Sequence, residues 1–148
     1  MLNALMQKYN SVNAFGRMIG LELTVIAPGE VLYTMTITED HLSNPLAAHG
    51  GAVAAMMDGV LGVAALSLST ESNRLVSTVE FKINYYGPVL LGDELKGHGK
   101  VVFEGNRIIS SEGSIACTNR ENVLLCKGLG TFNSYPASKN PLFAASAV

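Results

Sequence analysis

The run HLSNPLAAHGGAVAAMMDGVLG, residues 41 to 62, holds the side chains best placed to do chemistry. Asp58 follows His49-Gly50-Gly51, and it is the sole formally charged side chain between His41 and Thr70. A carboxylate is costly to bury among apolar groups without partners. Asp58 therefore either faces water or sits where its burial serves a function. The first turn of a helix leaves backbone N–H groups unpaired at the positive end of the dipole. Such groups polarise a carbonyl oxygen or bind an anion, and Gly50 and Gly51 let a substrate approach them. A carbonyl polariser and a carboxylate on one side of a helix point to acyl-transfer chemistry. The plainer alternative is a flexible Gly-Gly helix entry, a surface His49 and an Asp58 on the solvent side.

These residues need a helix to carry them, and the sequence predicts one from about Gly51 to Ser67. At helical spacing Gly51, Ala55, Asp58, Gly62 and Ala65 share one stripe. Val53, Met56, Met57, Val60 and Val63 spread over the other side and supply the burial. Solvent-facing stripes usually carry Lys, Glu or Gln, so a stripe of Gly and Ala suggests that both faces are covered. Asp58 is thus expected in a gap left by small neighbours, approached by another backbone, a subunit or a ligand.

Around this helix the chain reads as a helical start over residues 2–18 with a break near Asn10 to Asn13. Two strands follow at about 20–27 and 30–38, joined by the turn APGE. After TESN the pattern is strand to about residue 134. In LVSTVEFKINYY, alternation places Val79, Phe81, Ile83 and Tyr85 on one face and Thr78, Glu80, Lys82 and Asn84 on the other. The next three strands read as an antiparallel meander with turns at Gly105-Asn106 and Asn119 to Asn122. The tail, 135–148, has no period and is either mobile or packed through Leu142 and Phe143. Helices and strands do not alternate regularly, which disfavours a doubly wound sheet and favours an α+β fold with one helix on an antiparallel sheet.

Composition sets further limits. One domain over residues 1–148 is the natural reading, and a 48% hydrophobic content supplies a core. The net charge of −2 lacks the basic footprint of a nucleic-acid partner. The apolar run around Asp58 is interrupted and rich in Gly and Ala, so no membrane span is expected. No secretory signal is evident, so Cys117 and Cys126 are expected as free thiols in the cytoplasm. His41, His49 and Asp58 lack metal-ligand spacing, no Ser or Cys sits in a nucleophile elbow, and neither metal nor cofactor is expected. Arg74, Lys82, Arg107 and Lys127 are either phosphate ligands or, singly, solvated surface charge. The glycines of GHG, 97–99, lack the strand–helix context of a phosphate loop, and His98 reads as an exposed strand residue.

Taken together, Asn44, His49-Gly50-Gly51 and Asp58 resemble the hotdog-fold acyl-CoA thioesterases, in the phenylacetic-acid-degradation-type branch. TVEFKINYYGPVLLGDELKGHGKVV, residues 78–102, is similar to that family's strand, Pro-containing turn, Gly-Asp and next strand. The resemblance spans roughly residues 20–133. It implies a hotdog fold, a long central helix wrapped by a curved antiparallel sheet of five to six strands. It also implies a homodimer, or a homotetramer built as a dimer of dimers, with the active site between subunits. Asp58 would be the general base or the nucleophile. Gly50 N–H would donate to the thioester carbonyl, and His49 would support the loop or contact substrate. Asn44 and Thr78 would position water or thioester, and Gly51, Lys82 and Asn84 would join Thr78 in binding substrate. The family places its asparagine six residues before the histidine, whereas here the interval is five, which leaves Ser43 and His41 as alternatives to Asn44.

The expected reaction is hydrolysis of an acyl-CoA to free acid and coenzyme A. An ordinary aspartate titrates near 3.9, and partial burial raises it toward values useful to a base. Aromatic, medium-chain and dicarboxylate-derived acyl groups all fit the composition. The competing readings are a hydroxyacyl-thioester dehydratase on the same fold and a non-catalytic acyl-CoA-binding module.

Overall fold

A computed structural model describes residues 2–144. Asn13 breaks the N-terminal helical region: its side chain accepts the Gly16 N–H at 3.0 Å and starts a second helix. α1 thus spans Ala4–Val12 and α2 Ala14–Met18. β1 (Glu22–Ala27) and β2 (Glu30–Thr36) turn at Gly29, whose φ of 87° suits glycine. Then come α3 (Gly50–Ser69), β3 (Arg74–Tyr85), β4 (Glu94–Glu104), β5 (Ile108–Cys117), β6 (Val123–Pro136) and the single turn α4 (Pro141–Ala144).

The six strands form one antiparallel sheet in the order β1-β2-β4-β5-β6-β3, with α3 against it. The expected meander holds for β4, β5 and β6. β3, for which no partner was expected, pairs with β6 at the sheet edge. Alternation tells which faces a strand has and says nothing about its neighbour.

α3 is long and apolar enough to cross a membrane by length and composition. Here its apolar surface is spent on the sheet: Val53, Met56, Met57, Val60 and Leu61 are at most 1% exposed. Each buried side chain of this size contributes roughly 1.5–3 kcal/mol. The helix comes close because Gly97 and Gly99 face it; a Cβ at Gly99 would strike the Val60 carbonyl. That is the structural role of the GHG run. His98 points the other way, half-exposed, with Nε2 2.7 Å from Glu30. Ala65, assigned to the small-residue stripe, is fully buried, so the stripe turns into the core at its C-terminal end.

A bulge corrects the expected faces of β3. The pairing with β6 shifts between Thr78 and Glu80, leaving Val79 unpaired and 57% exposed. Thr78 and Phe81 therefore share the helix-facing side, where strict alternation had them opposed. Over its described part, 135–144, the tail resolves in favour of packing; residues 145–148 lie outside the described residues. β6 continues to Pro136, the Ala137 N–H donates to Asn73 C=O at 3.0 Å, and Phe143 is 7% exposed. Leu142 stays 49% exposed, so only one of the two apolar tail residues packs. Both cysteines are free and buried, and burial pushes the Cys126 thiol up to about 11.

The Gly-Asp of the β3–β4 connection is a structural anchor. Asp93, 4% exposed, accepts from Arg120 Nε at 2.8 Å and Nη2 at 2.6 Å, and from the Leu90 N–H at 2.8 Å. Burial alone would raise this carboxyl, yet the Arg120 guanidinium and the Leu90 N–H outweigh it and hold it below the usual range. Arg120→Ala leaves that charge buried and unpaired, and is expected to cost about 2–4 kcal/mol in urea unfolding at neutral pH. Because the folded carboxyl is depressed, its stabilisation is present above the ordinary value of 3.8 and disappears as pH falls below it. The gap between wild type and variant should narrow there; an equal gap at acid and neutral pH would contradict the pairing.

Candidate active site

His49 is the N-cap of α3, with extended φ −63° and ψ 133°. Its Nδ1 accepts the Gly51 N–H at 2.8 Å, so the neutral ring carries its proton on Nε2. The Ala52 N–H goes to His49 C=O at 3.0 Å. The Gly50 N–H alone among these three finds no partner among the described residues. The cap thus explains the motif: the histidine takes one first-turn donor and leaves its neighbour open at the positive end of a twenty-residue helix. Gly51, expected to bind substrate, has its N–H already engaged by His49.

The loop before the helix is fixed by its own hydrogen bonds. Asn44 Oδ1 accepts the Leu46 and Ala47 N–H groups, each at 3.0 Å, which makes it a turn-forming residue on the exposed side of the loop. His41 is not a substitute for it. Its Nδ1 accepts the Thr38 N–H at 2.9 Å and its Nε2 donates to Ile19 C=O at 2.8 Å, both nitrogens being used in a buried position. Ser43 is exposed, and its N–H donates to Ala47 C=O at 3.0 Å. Tyr85 holds the start of α3 from the sheet side: its phenol donates to Gly50 C=O at 2.6 Å. Alternation marked Tyr85 only as an apolar-face residue, so this tether was not legible in the sequence.

Asp58 lies two turns further along α3, half-buried. Thr78 Oγ1 reaches its Oδ1 at 3.4 Å, a long and weak hydrogen bond. Asp58 forms no ion pair among the described residues. Burial raises its carboxyl above the usual value, and the Thr78 hydroxyl offsets part of the rise. Tyr9 from α1 borders the same space, and burial raises its phenol too. No motif spacing pointed to Tyr9.

Asp58 and Thr78 are thus brought together, and His49, Gly50 and Gly51 form one cluster at the helix start. Within one chain the clusters stay apart. Gly50 and Asp58 are eight residues apart on one helix, which is ~12 Å along its axis. Lys82 and Asn84 belong to neither cluster. They are exposed and pair with Leu129 and Lys127, while the intervening Ile83 pairs with Gly128, whose Cβ position meets Met57 of α3. The pleat therefore turns Lys82 and Asn84 to the sheet face away from the helix. Arg74, a phosphate-ligand candidate, is engaged by Ser134 through its Nε at 2.8 Å and Nη2 at 2.7 Å.

Comparison with known proteins follows the same lines. Residues 47–123, just over half of the chain, match the Thioesterase superfamily. Acyl-coenzyme A thioesterase 13 of Homo sapiens is 29% identical over 107 residues, covering 72% of this chain and 74% of the relative. The E. coli PaaI protein, from the phenylacetic acid degradation operon, superimposes with a TM-score of 0.76 at 17% identity, over 87% of this chain and 89% of that one. A hypothetical thioesterase of Streptococcus pneumoniae, solved with coenzyme A, gives a TM-score of 0.68 at 21% identity, over 79% and 87% of the two chains. The two structural likenesses establish the shared hotdog fold.

Proposed function

From the membership of this chain in the thioesterase superfamily, we propose that it hydrolyses an acyl-CoA thioester to the free acid and coenzyme A, using Asp58 as general base. The carrying observation is a half-buried carboxylate with no ion pair among the described residues, its basicity raised by burial, bordering two cavities. The acyl-CoA substrate is further supported by the name of the human relative and by the coenzyme A in the streptococcal neighbour.

In this reading Asp58 takes a proton from water as the water oxygen bonds to the thioester carbon. The oxyanion so formed accepts the open Gly50 N–H, with the helix dipole behind it. Collapse breaks the C–S bond, and the leaving thiolate takes up the proton that Asp58 received, which restores the carboxylate. Thioesters are activated, so a carboxylate of modest basicity suffices.

The separation of Gly50 from Asp58 requires that the two come from different copies. A homodimer is the proposed unit, with pairing into a tetramer as an extension. β3 supports this, since it is an edge strand whose outer backbone edge is unpaired among the described residues and which carries exposed Val79 and Tyr85. A cytoplasmic setting is part of the proposal and rests on the two free cysteines.

The test is free-thiol release from a panel of aromatic, medium-chain and dicarboxylate-derived acyl-CoAs. Turnover of at least one is expected. A dehydratase would change hydroxyacyl substrates without releasing thiol, and a binding module would retain them unchanged; either result would overturn hydrolysis.

A further inference from the structure

Two cavities meet at Asp58. The wider, about 480 Å³, opens toward Gly51 and Phe15, and the narrower, about 200 Å³, runs on between α3 and strands β3 and β6. Asp58, Gly59, Thr78 and Tyr9 border both. On the helix side the narrow cavity extends from Asp58 past Gly62 to Leu66, ~12 Å along the axis. Much of its wall is buried apolar surface, including Val63, Leu75 and Phe132. α4 also contributes to the wall, presenting Phe143.

That wall segment is held in place. The Ala137 N–H is tied to Asn73 C=O beyond the end of α3, and Asn140 Oδ1 caps α4 by accepting the Leu142 N–H at 3.0 Å. Phe143 turns inward and Leu142 outward. The cavity is therefore bounded by α3, β3 and β6 of the scaffold, by Tyr9 of α1 and by one short appended turn.

We propose that the narrow cavity receives the acyl group and that Phe143 is its end wall, so the C-terminal segment limits the length of the acyl group accepted; this rests on the thioesterase reading above. An apolar cavity of about 150 Å³ takes up benzene. A space of about 200 Å³ suits compact acyl groups of similar or slightly greater bulk and excludes long fatty chains.

The experiment measures kcat/KM for thiol release along the straight-chain acyl-CoA series, acetyl to palmitoyl. It compares wild type, Phe143→Ala, Gly62→Ala and Leu142→Ala. Wild type should lose about tenfold or more for each methylene beyond its limit. Phe143→Ala should move that limit outward by roughly two carbons. Gly62→Ala should move it inward, because the new Cβ would lie 3.3 Å from Phe132 Cε1 within the cavity wall. Leu142→Ala, altered on the exposed side of α4, should keep the wild-type profile. An active Phe143→Ala enzyme with an unmoved limit, or with all lengths reduced by one factor, overturns the end wall and leaves the thioesterase reading intact. If Phe143→Ala does not fold, Gly62→Ala decides, alanine being favoured in a helix; an unmoved limit there overturns the proposal. A folded wild type that releases thiol from no member overturns both readings.

Discussion

Asp58→Asn is expected to lower kcat/KM for thioester hydrolysis by about 10²–10⁴-fold in a protein that remains folded. The substitution keeps the shape and the contact with Thr78 while removing the capacity to take a proton. Burial is the main cause of the raised carboxyl, so the wild-type rate should climb with pH through a point above the ordinary 3.8. The same shift has a consequence for stability. A carboxyl raised in the folded state makes that state hold its proton more tightly than the unfolded chain does. Asp58 therefore costs stability as pH rises from its unfolded toward its folded value, and the cost persists above that. The Asn variant escapes it and should melt at an equal or higher temperature than wild type near neutral pH. Thermal unfolding and steady-state thiol release, run on the same samples, check both halves. Wild-type turnover in the variant would remove Asp58 from the chemistry.

Gly50→Pro should cost about 10²–10³-fold in kcat, the usual effect of losing one oxyanion donor. Proline is well suited as a probe because Gly50 is the first residue of α3, where the ring fits the helix and only the N–H is lost. His49 already has the extended ψ of 133° that a following proline requires. A Cβ at Gly50 finds its nearest neighbour, the Tyr85 hydroxyl, at an ordinary 3.6 Å. Mixing this variant with Asp58→Asn then tests whether sites are shared. In a mixed dimer one site combines both lesions and the other has an intact Asp58 facing an intact Gly50. Random reassortment of equal amounts should restore about a quarter of wild-type activity. No recovery after verified subunit exchange would place both groups' work within one chain, against the ~12 Å that separates them along α3.

The helix was legible because its two faces differ in kind: large apolar groups recur on one side and Gly, Ala and one Asp on the other. Its start was legible because Gly-Gly before an apolar run reads as a helix entry that allows close approach, while the cap formed by His49 was not. The break at Asn13, the turn at Gly29 and the meander of β4 to β6 are local matters of turn chemistry, and they too could be read. The face of Thr78 could not be read, because one bulged residue, Val79, reverses the alternation after it. Strict alternation put Lys82 and Asn84 on the face of Thr78, and the same bulge carries them to the opposite one. Asn44 carried a functional expectation, whereas the loop uses its side-chain oxygen to close a turn.

By itself the sequence determined what depends on neighbours along the chain: the α3 helix, its open first-turn donor and a single carboxylate on a small-residue stripe. Tertiary structure decided what depends on elements meeting across the molecule. Only packing brought Thr78 to Asp58, Tyr85 to Gly50 and Phe143 to the wall of the narrow cavity, from segments 20, 35 and some 80 residues away along the chain. Hydrogen-bond geometry and periodicity act within a few residues and leave a trace in spacing. Burial acts through space, and the raised basicity of Asp58 exists only once the sheet and the terminal segments have closed around it.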